Sequence, residues 1–211
     1  MIRDQETLNI LLDTIARFVR ERLVPSEARV AEHDEIPPDI IDEMKALGLF
    51  GMSIPEEHGG MGLTMEEEVL ATFEIGHTSP CFRSIFATNN GIGGQGIVID
   101  GTPEQQARYL PRLVSGEIIG SFALTEPDSG SDAASLRTTA TRDGDGYVLN
   151  GTKRYITNAP EAGIFTVMAR TDPSKKGADG ISAFIVERGT PGLSFGPHDA
   201  KMGHRGAHTC D

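Results

Sequence analysis

The stretch best suited to chemistry is Phe122 to Ser135, FALTEPDSGSDAAS. A short apolar run, Phe122 to Leu124, breaks at Thr125 into a loop that crowds Thr125, Ser129, Gly130, Ser131 and Asp132 together. Hydroxyls and loop backbone N–H groups are the donors that a phosphate or the edge of a heterocycle requires. Gly130 permits close backbone approach or a positive φ. On physics alone, the same residues fit a Ser/Asp-rich turn equally well.

Two other patterns invite chemistry and lead elsewhere. Gly91-Ile92-Gly93-Gly94-Gln95-Gly96 has the spacing GxGxxG. A dinucleotide fingerprint needs a strand before it and a helix opening from its glycines. Here only IVID separates Gly96 from Gly101, and the next helix carries its own cap near Thr102. A flexible bend or loosely packed helical segment near a ligand is the better reading. His204, His208 and Cys210 could in principle bind a metal, two histidines four apart sharing a helix face. Gly203 and Gly206 interrupt that pattern, so a surface loop is expected and no metal is assigned. His33, His58, His77 and His198 stand alone and are assigned no role.

The elements that must hold the loop come in two kinds. Residues 1–116 read as a helical domain. Leu8, Leu11, Leu12, Ile15, Phe18, Val19 and Leu23 recur at helical spacing, and Pro25 is expected to close that helix. Pro37-Pro38 opens a second, through Ile40, Ile41, Met44 and Leu47 to Gly48. Thr64-Met65-Glu66-Glu67 and Thr102-Pro103-Glu104-Gln105 are capping boxes that start helices running to Gly76 and Gly116. Residues 117–211 change to a period of two. IIGSFAL, SLRTTATR, GYVLNG, KRYIT, IFTVMAR and ISAFIVE are short, β-rich and separated by turns, with a hairpin turn at DGDG (143–146). Tyr155 and Thr157 are expected to alternate along one strand and share a face. The fold class is therefore α+β, an all-helical domain followed by a small antiparallel sheet or barrel. A doubly wound nucleotide-binding sheet is excluded.

Composition narrows the partners. Lys and Arg number 19 against 31 Asp and Glu, a net charge of −12, which disfavours nucleic acid and anionic membrane surfaces. An anionic ligand would need a local site. The chain has no run of 18 apolar residues to span a membrane, and acids within the first six residues argue against a secretory signal. Two distant cysteines, Cys81 and Cys210, exclude a disulfide framework and favour a reducing cytoplasmic compartment.

Ala123 to Ser135, ALTEPDSGSDAAS, resembles the long motif of the acyl-CoA dehydrogenase family, and Asn150 to Ala159, NGTKRYITNA, resembles that family's second characteristic segment at the expected spacing. IPEEHGGMGLT (54–64) and the run from Gly101 through Glu126 are similar to the same family, so the resemblance extends over essentially the whole chain. It implies a helical domain, a middle β domain and FAD. The implied reaction, part of fatty acid metabolism, oxidises an acyl-CoA thioester to the trans-2-enoyl-CoA. A carboxylate takes the α proton, hydride passes to the flavin, and electrons go on to an electron-transferring flavoprotein.

Carried over by resemblance, Phe122, Leu124 and Thr125 line the isoalloxazine. Ser131 meets the FAD pyrophosphate and the bound acyl-CoA substrate. Tyr155, Ile156 and Thr157 cover the other flavin face, with Thr125 and Thr157 as donors. Two positions depart from common members: Phe122 replaces Tyr, losing a hydroxyl, and Tyr155 replaces Trp, covering less area.

The family's catalytic Glu lies in a C-terminal helical bundle, and no residue up to Asp211 matches it. The resemblance thus implies a truncated chain or fragment, lacking a last β strand, with weak or no flavin retention and no turnover alone. A complete protein is expected to be a homotetramer or homodimer. Same-fold alternatives are an acyl-CoA oxidase or another flavoenzyme; a non-catalytic, partner-binding remnant is the alternative of a different class.

Overall fold

The computed structural model describes residues 4–211, so the first three residues of the stretch weighed as a signal lie outside it. The chain divides into two compact units. One runs up to Ile119 and includes Ala200–Ala207; the other is Gly120–Asp199 with His208–Asp211.

The first unit is helical. Helix α1 (Gln5–Phe18) starts at Asp4, whose carboxylate accepts from the N–H groups of Glu6 and Thr7, and it buries Leu8, Ile15 and Phe18. Pro25 does not end this helix. Val19–Leu23 forms one π-helical turn that leads directly into α2 (Val24–His33). A proline ring clashes with the carbonyl four residues back and offers no N–H. The wide turn lets the Val24 N–H reach Val19 O, five residues back, and leaves Pro25 in the first turn of α2, where a missing donor costs little. The proline is thereby absorbed, and the chain stays helical to His33.

Helices α3 (Pro38–Ala46), α4 (Met65–Ile75) and α7 (Pro103–Val114) start where their caps predict. In α4 the capping box is reciprocal: Thr64 Oγ1 accepts from Glu67 N, and the buried Glu67 carboxylate accepts from Thr64 N at 2.7 Å. Two further helices, α5 (Pro80–Asn90) and α6 (Gln95–Asp100), are not visible as periodic patterns. Helix α5 buries Cys81, Phe82, Ile85, Phe86, Thr88, Asn89 and Asn90, and a helix buried around most of its circumference shows no clean polar face. The glycine run therefore joins two helices. Helix α6 does open within it, but a helix precedes it rather than a strand, so the dinucleotide reading fails on topology.

Buried amides at the end of α5 tie this unit together. Asn89 Nδ2 donates to Leu113 O at 2.9 Å and Ile118 O at 3.0 Å. Asn90 Nδ2 donates to Leu49 O at 2.6 Å, while its Oδ1 accepts from Ser53 N. The period-two stretch from 117 does not pack as one block. Residues 200–207 join the helices: Gly206 N–H donates to Asp34 Oδ1 at 2.6 Å, and Ala207 enters the helical core. Gly206 has φ 87°, and a Cβ there would stand 2.5 Å from Val30 Cγ1, so only glycine allows this approach.

The second unit is an open, mixed sheet rather than the expected closed or wholly antiparallel one. Strand β5 (Ile164–Arg170) is central and pairs antiparallel with β6 (Ile181–Glu187) along one edge. Its other edge pairs in parallel with β1 (Gly120–Ala123), then at Arg170 with β2 (Thr139–Asp143). β2 forms the expected hairpin with β3 (Gly146–Asn150), and Gly144 takes φ 58° in the turn. β4 (Ile156–Thr157) and β7 (Thr209–Cys210) make a separate antiparallel pair. Parallel pairing of β1 follows from the long excursion between it and β5; a hairpin would have reversed it. Ala123, Ile156, Ala159, Ala162, Phe165 and Cys210 form the core of this unit.

Truncating Asn89 to Ala should strand two buried carbonyls and lower stability by about 2–3 kcal/mol. Urea unfolding of the variant against the parent measures it, and a loss below about 0.5 kcal/mol would remove Asn89 as a structural tie.

Candidate functional site

Besides the Lys153–Glu126 pair, three bonds stitch β1 and the loop after it to the segment 153–157. Ser121 Oγ donates to Thr157 O at 2.6 Å, Arg154 N donates to Thr125 O at 2.8 Å, and Lys153 Nζ donates to Leu124 O at 3.0 Å. Two runs far apart in sequence thus form one surface within the sheet unit. The loop itself closes tightly. Glu126 and Ser129 exchange backbone hydrogen bonds, and Ser129 Oγ donates to Asp132 O.

Glu126 is the anchor. It is only 6% exposed, yet its carboxylate accepts from Lys153 Nζ at 2.8 Å, Arg137 N at 2.6 Å and Thr138 N at 2.9 Å. Burial by itself raises a carboxyl pKa. Here the bonds from Lys153, Thr138 and Arg137 override burial and hold Glu126 at about 2. Lys153 is driven the other way: burial lowers its ammonium and Glu126 offsets part of that. A carboxylate held this low and this fully bonded is a poor proton acceptor at neutral pH. Glu126 is therefore a structural carboxylate, not a base.

Arg154 points the other way along the chain, bonding Asp211 and lying 3.6 Å from Asp199, with its guanidinium 4.6 Å above the Tyr155 ring. Tyr155 has φ 59° and Asn158 φ 60°, so left-handed residues bracket β4 on both sides. The expected strand alternation of Tyr155 with Thr157 does not hold, because Tyr155 lies outside the strand. Its backbone is turned, and the residue is 61% exposed.

The remaining residues fall as follows. Ala123 packs inward in the core, while its strand neighbours Phe122 and Leu124 are half-buried on the opposite face. Thr125 and Thr157 are half-buried; their carbonyls are bonded within the chain, but their hydroxyls carry no hydrogen bond. Ser131 is exposed, also without a hydrogen bond. Ile156 is buried in the core, so only its backbone can face a ligand. Gly151 passes so close to Thr138 that an added Cβ would stand 2.8 Å from Thr138 Cα.

Comparison with known proteins decides the family. Residues 5–117 match the acyl-CoA dehydrogenase N-terminal domain and residues 121–211 the acyl-CoA dehydrogenase middle domain. The chain belongs to the acyl-CoA dehydrogenase family. An acyl-CoA dehydrogenase of Bacillus subtilis (strain 168) is 41% identical over 92% of this chain and 51% of its own length. A structure of the electron transferring flavoprotein of Acidaminococcus fermentans superposes with TM-score 0.91 at 37% identity, covering 100% of this chain and 55% of that one. An acyl-CoA dehydrogenase from Bacillus anthracis complexed with FAD superposes with TM-score 0.85 at 35% identity, covering 99% of this chain and 36% of that one. The chain spans about half the length of the curated relatives it matches. No helix among its described residues is long and apolar enough to cross a membrane.

Glu126, which the sequence favours as a structural or exposed loop carboxylate over a base, is structural and buried, and the residues around it that sequence reasoning missed are Lys153 and Gly151. All three sit inside the two family motifs, but nothing local links them. The C-terminal histidines separate: His204 bonds Ser84 in the helical unit, while His208 bonds Glu161 and stacks on His198 in the sheet unit. Among the described residues, no three His, Cys, Asp or Glu side chains are grouped to hold a metal.

Two outcomes follow from this geometry. Glu126 has a depressed carboxyl, so its stabilisation is fully present above the unfolded value near 4.5 and disappears as pH falls towards about 2. The shift corresponds to about 3 kcal/mol, part of it offset by desolvating Lys153. Urea midpoints of Glu126→Gln and the parent should differ most above pH 5 and converge towards pH 2; a pH-independent gap would refute the linkage. Gly151→Ala should push Thr138 from Glu126 and cost about 1–3 kcal/mol in the same assay.

Proposed function

We propose that the sheet unit holds FAD at the surface made by residues 122–131 and 153–157, in the service of oxidising an acyl-CoA thioester to the trans-2-enoyl-CoA. The observation that carries this reading is the stitching of the two motif segments. It brings together the uncommitted hydroxyls of Thr125 and Thr157 and the exposed Tyr155, while the carbonyls of Leu124, Thr125 and Thr157 are bonded within the chain. That donor set fits a flavin. The hydroxyls suit the polar edge of the heterocycle, Phe122, Leu124 and Tyr155 offer apolar area, and Ser131 with the loop N–H groups suits a pyrophosphate. The FAD complex of the Bacillus anthracis relative supports the assignment.

Bound FAD supplies the hydride acceptor; the chain supplies binding, orientation and electrostatics. Thr125 and Thr157 donate towards developing negative charge on the ring. Phe122 and Leu124 present the apolar side. Tyr155, held by Arg154 stacking, covers the other side and excludes water, and the Ile156 backbone supports it. Ser131 is placed for the pyrophosphate and the bound acyl-CoA. The superposition on the Acidaminococcus fermentans structure supports an electron-transferring flavoprotein as the acceptor. The two buried free thiols, both raised by burial, are compatible with a reducing cytoplasmic setting.

Titrating the chain with FAD, and following the flavin absorbance band and fluorescence, tests the site. Weak but saturable binding is expected, without flavin retention through desalting, and weakened about tenfold further by Thr125→Ala with Thr157→Ala, at two hydrogen bonds of roughly 0.7 kcal/mol each. Binding that is absent, or indifferent to both substitutions, would overturn the assignment.

A further inference from the structure

We propose that Glu126 and Lys153 act as a positioning pair for the flavin site, setting FAD affinity by holding the loop 124–138 against the segment 153–157. This rests on the flavin reading above and deepens it. Neither residue is placed against the cofactor. Their effect would pass through Thr125, Ser131, Tyr155 and Thr157.

The argument begins with the cost of the pair. Its side chains are 6% and 10% exposed, and burying two opposite charges pays back only when their remaining donors and acceptors are satisfied. Here they are satisfied by the backbone of the proposed site. Glu126 takes the N–H groups of Arg137 and Thr138, which closes the loop behind Ser131. Lys153 gives one proton to Glu126 and another to Leu124 O, the carbonyl just before Thr125. The next residue, Arg154, donates its N–H to Thr125 O. The ion pair thus fixes the carbonyl before Thr125 and the exit of the loop, and the N–H of the residue that follows Lys153 fixes the carbonyl of Thr125 itself.

A second arginine secures the same loop from outside. Arg170 donates to Ala134 O at 2.7 Å, and also to Leu136 O and to the carbonyls of Lys175 and Gly177. The loop exit is therefore held at two places, and the loop entry by the pair and by the Arg154 N–H on Thr125 O. Loss of the pair should loosen the entry, where Thr125 stands, more than the exit, which Arg170 still holds.

Glutamine at 126 would keep one acceptor but turn an N–H₂ towards an array made wholly of donors. Methionine at 153 would leave Glu126 its two backbone donors and free Leu124 O. Arginine at 153 keeps the charge and several donors. The experiment compares Glu126→Gln, Lys153→Met and Lys153→Arg with the parent chain, below the melting temperature of each. FAD is titrated by fluorescence, the bound flavin's absorbance maximum is recorded, and amide hydrogen exchange of Arg137, Thr138 and Arg154 is followed without flavin.

The expected result is about tenfold weaker FAD binding or more in Glu126→Gln and Lys153→Met, with a shifted flavin band. Exchange should quicken at Arg137 and Thr138 in Glu126→Gln and at Arg154 in both variants, and Lys153→Arg should restore most of the affinity. FAD affinity and spectrum unchanged in both variants, or amide protection unchanged, would overturn the positioning role. If Glu126→Gln fails to fold, Lys153→Met, which retains the carboxylate, decides the question. A parent chain that binds no FAD overturns the flavin reading, and the affinity claim with it. A parent that binds FAD beside indifferent variants overturns only the pair.

Discussion

The arrangement of the sheet unit depends on one carboxylate with nowhere to go but to donors. Glu126 is buried, and a buried charge is tolerated only when its hydrogen-bonding capacity is met. The nearest donors are the backbone N–H groups of Arg137 and Thr138 and the ammonium of Lys153. Meeting that requirement forces three chain segments into one place. Lys153 in turn must satisfy its own protons, and it does so on Leu124 O. The geometry around Thr125 is thus a by-product of electrostatic necessity.

Backbone conformation finishes what the ion pair begins. Tyr155 and Asn158 both adopt left-handed φ around the two-residue strand β4, which is costly for side chains of this size and persists only when the surroundings dictate it. Here Arg154, bonded to Asp211 and near Asp199, fixes one flank, and the Asn158 N–H on His208 O fixes the other. The result is an exposed aromatic ring beside two hydroxyls that no internal partner consumes. Ordinary loops spend their hydroxyls locally in turns and caps; this one spends Ser129 and Ser135 that way and spares Thr125, Thr157 and Ser131.

The helical unit is built on a different device. Its tightest ties are neutral amides, Asn89 and Asn90, which reach carbonyls of distant loops without importing charge. The segment 200–207 is drawn in differently, by a backbone N–H on the Asp34 carboxylate beneath a glycine that alone fits there and by His204 on Ser84. Neutral ties avoid the desolvation cost that Glu126 and Lys153 must offset, and they need no pairing partner of opposite sign.

Much of this was legible in the residues alone. Caps at Thr64 and Thr102, the DGDG turn and the change of period near residue 117 are local signals, and local sterics enforce them. So are the two motifs that carry the flavin reading. Pro25 misled because its usual effect was cancelled by a π turn, and α5 was hidden because burial on most sides erased its stripe. The sequence by itself determined the capped helices, the change from helices to strands and the family. Only the tertiary structure decided that the sheet is open and mixed, that Tyr155 leaves its strand, that residues 200–207 pack with the helices, and that Glu126 serves Lys153 rather than a substrate. Those outcomes depend on contacts between residues tens of positions apart, whose energies no local pattern encodes.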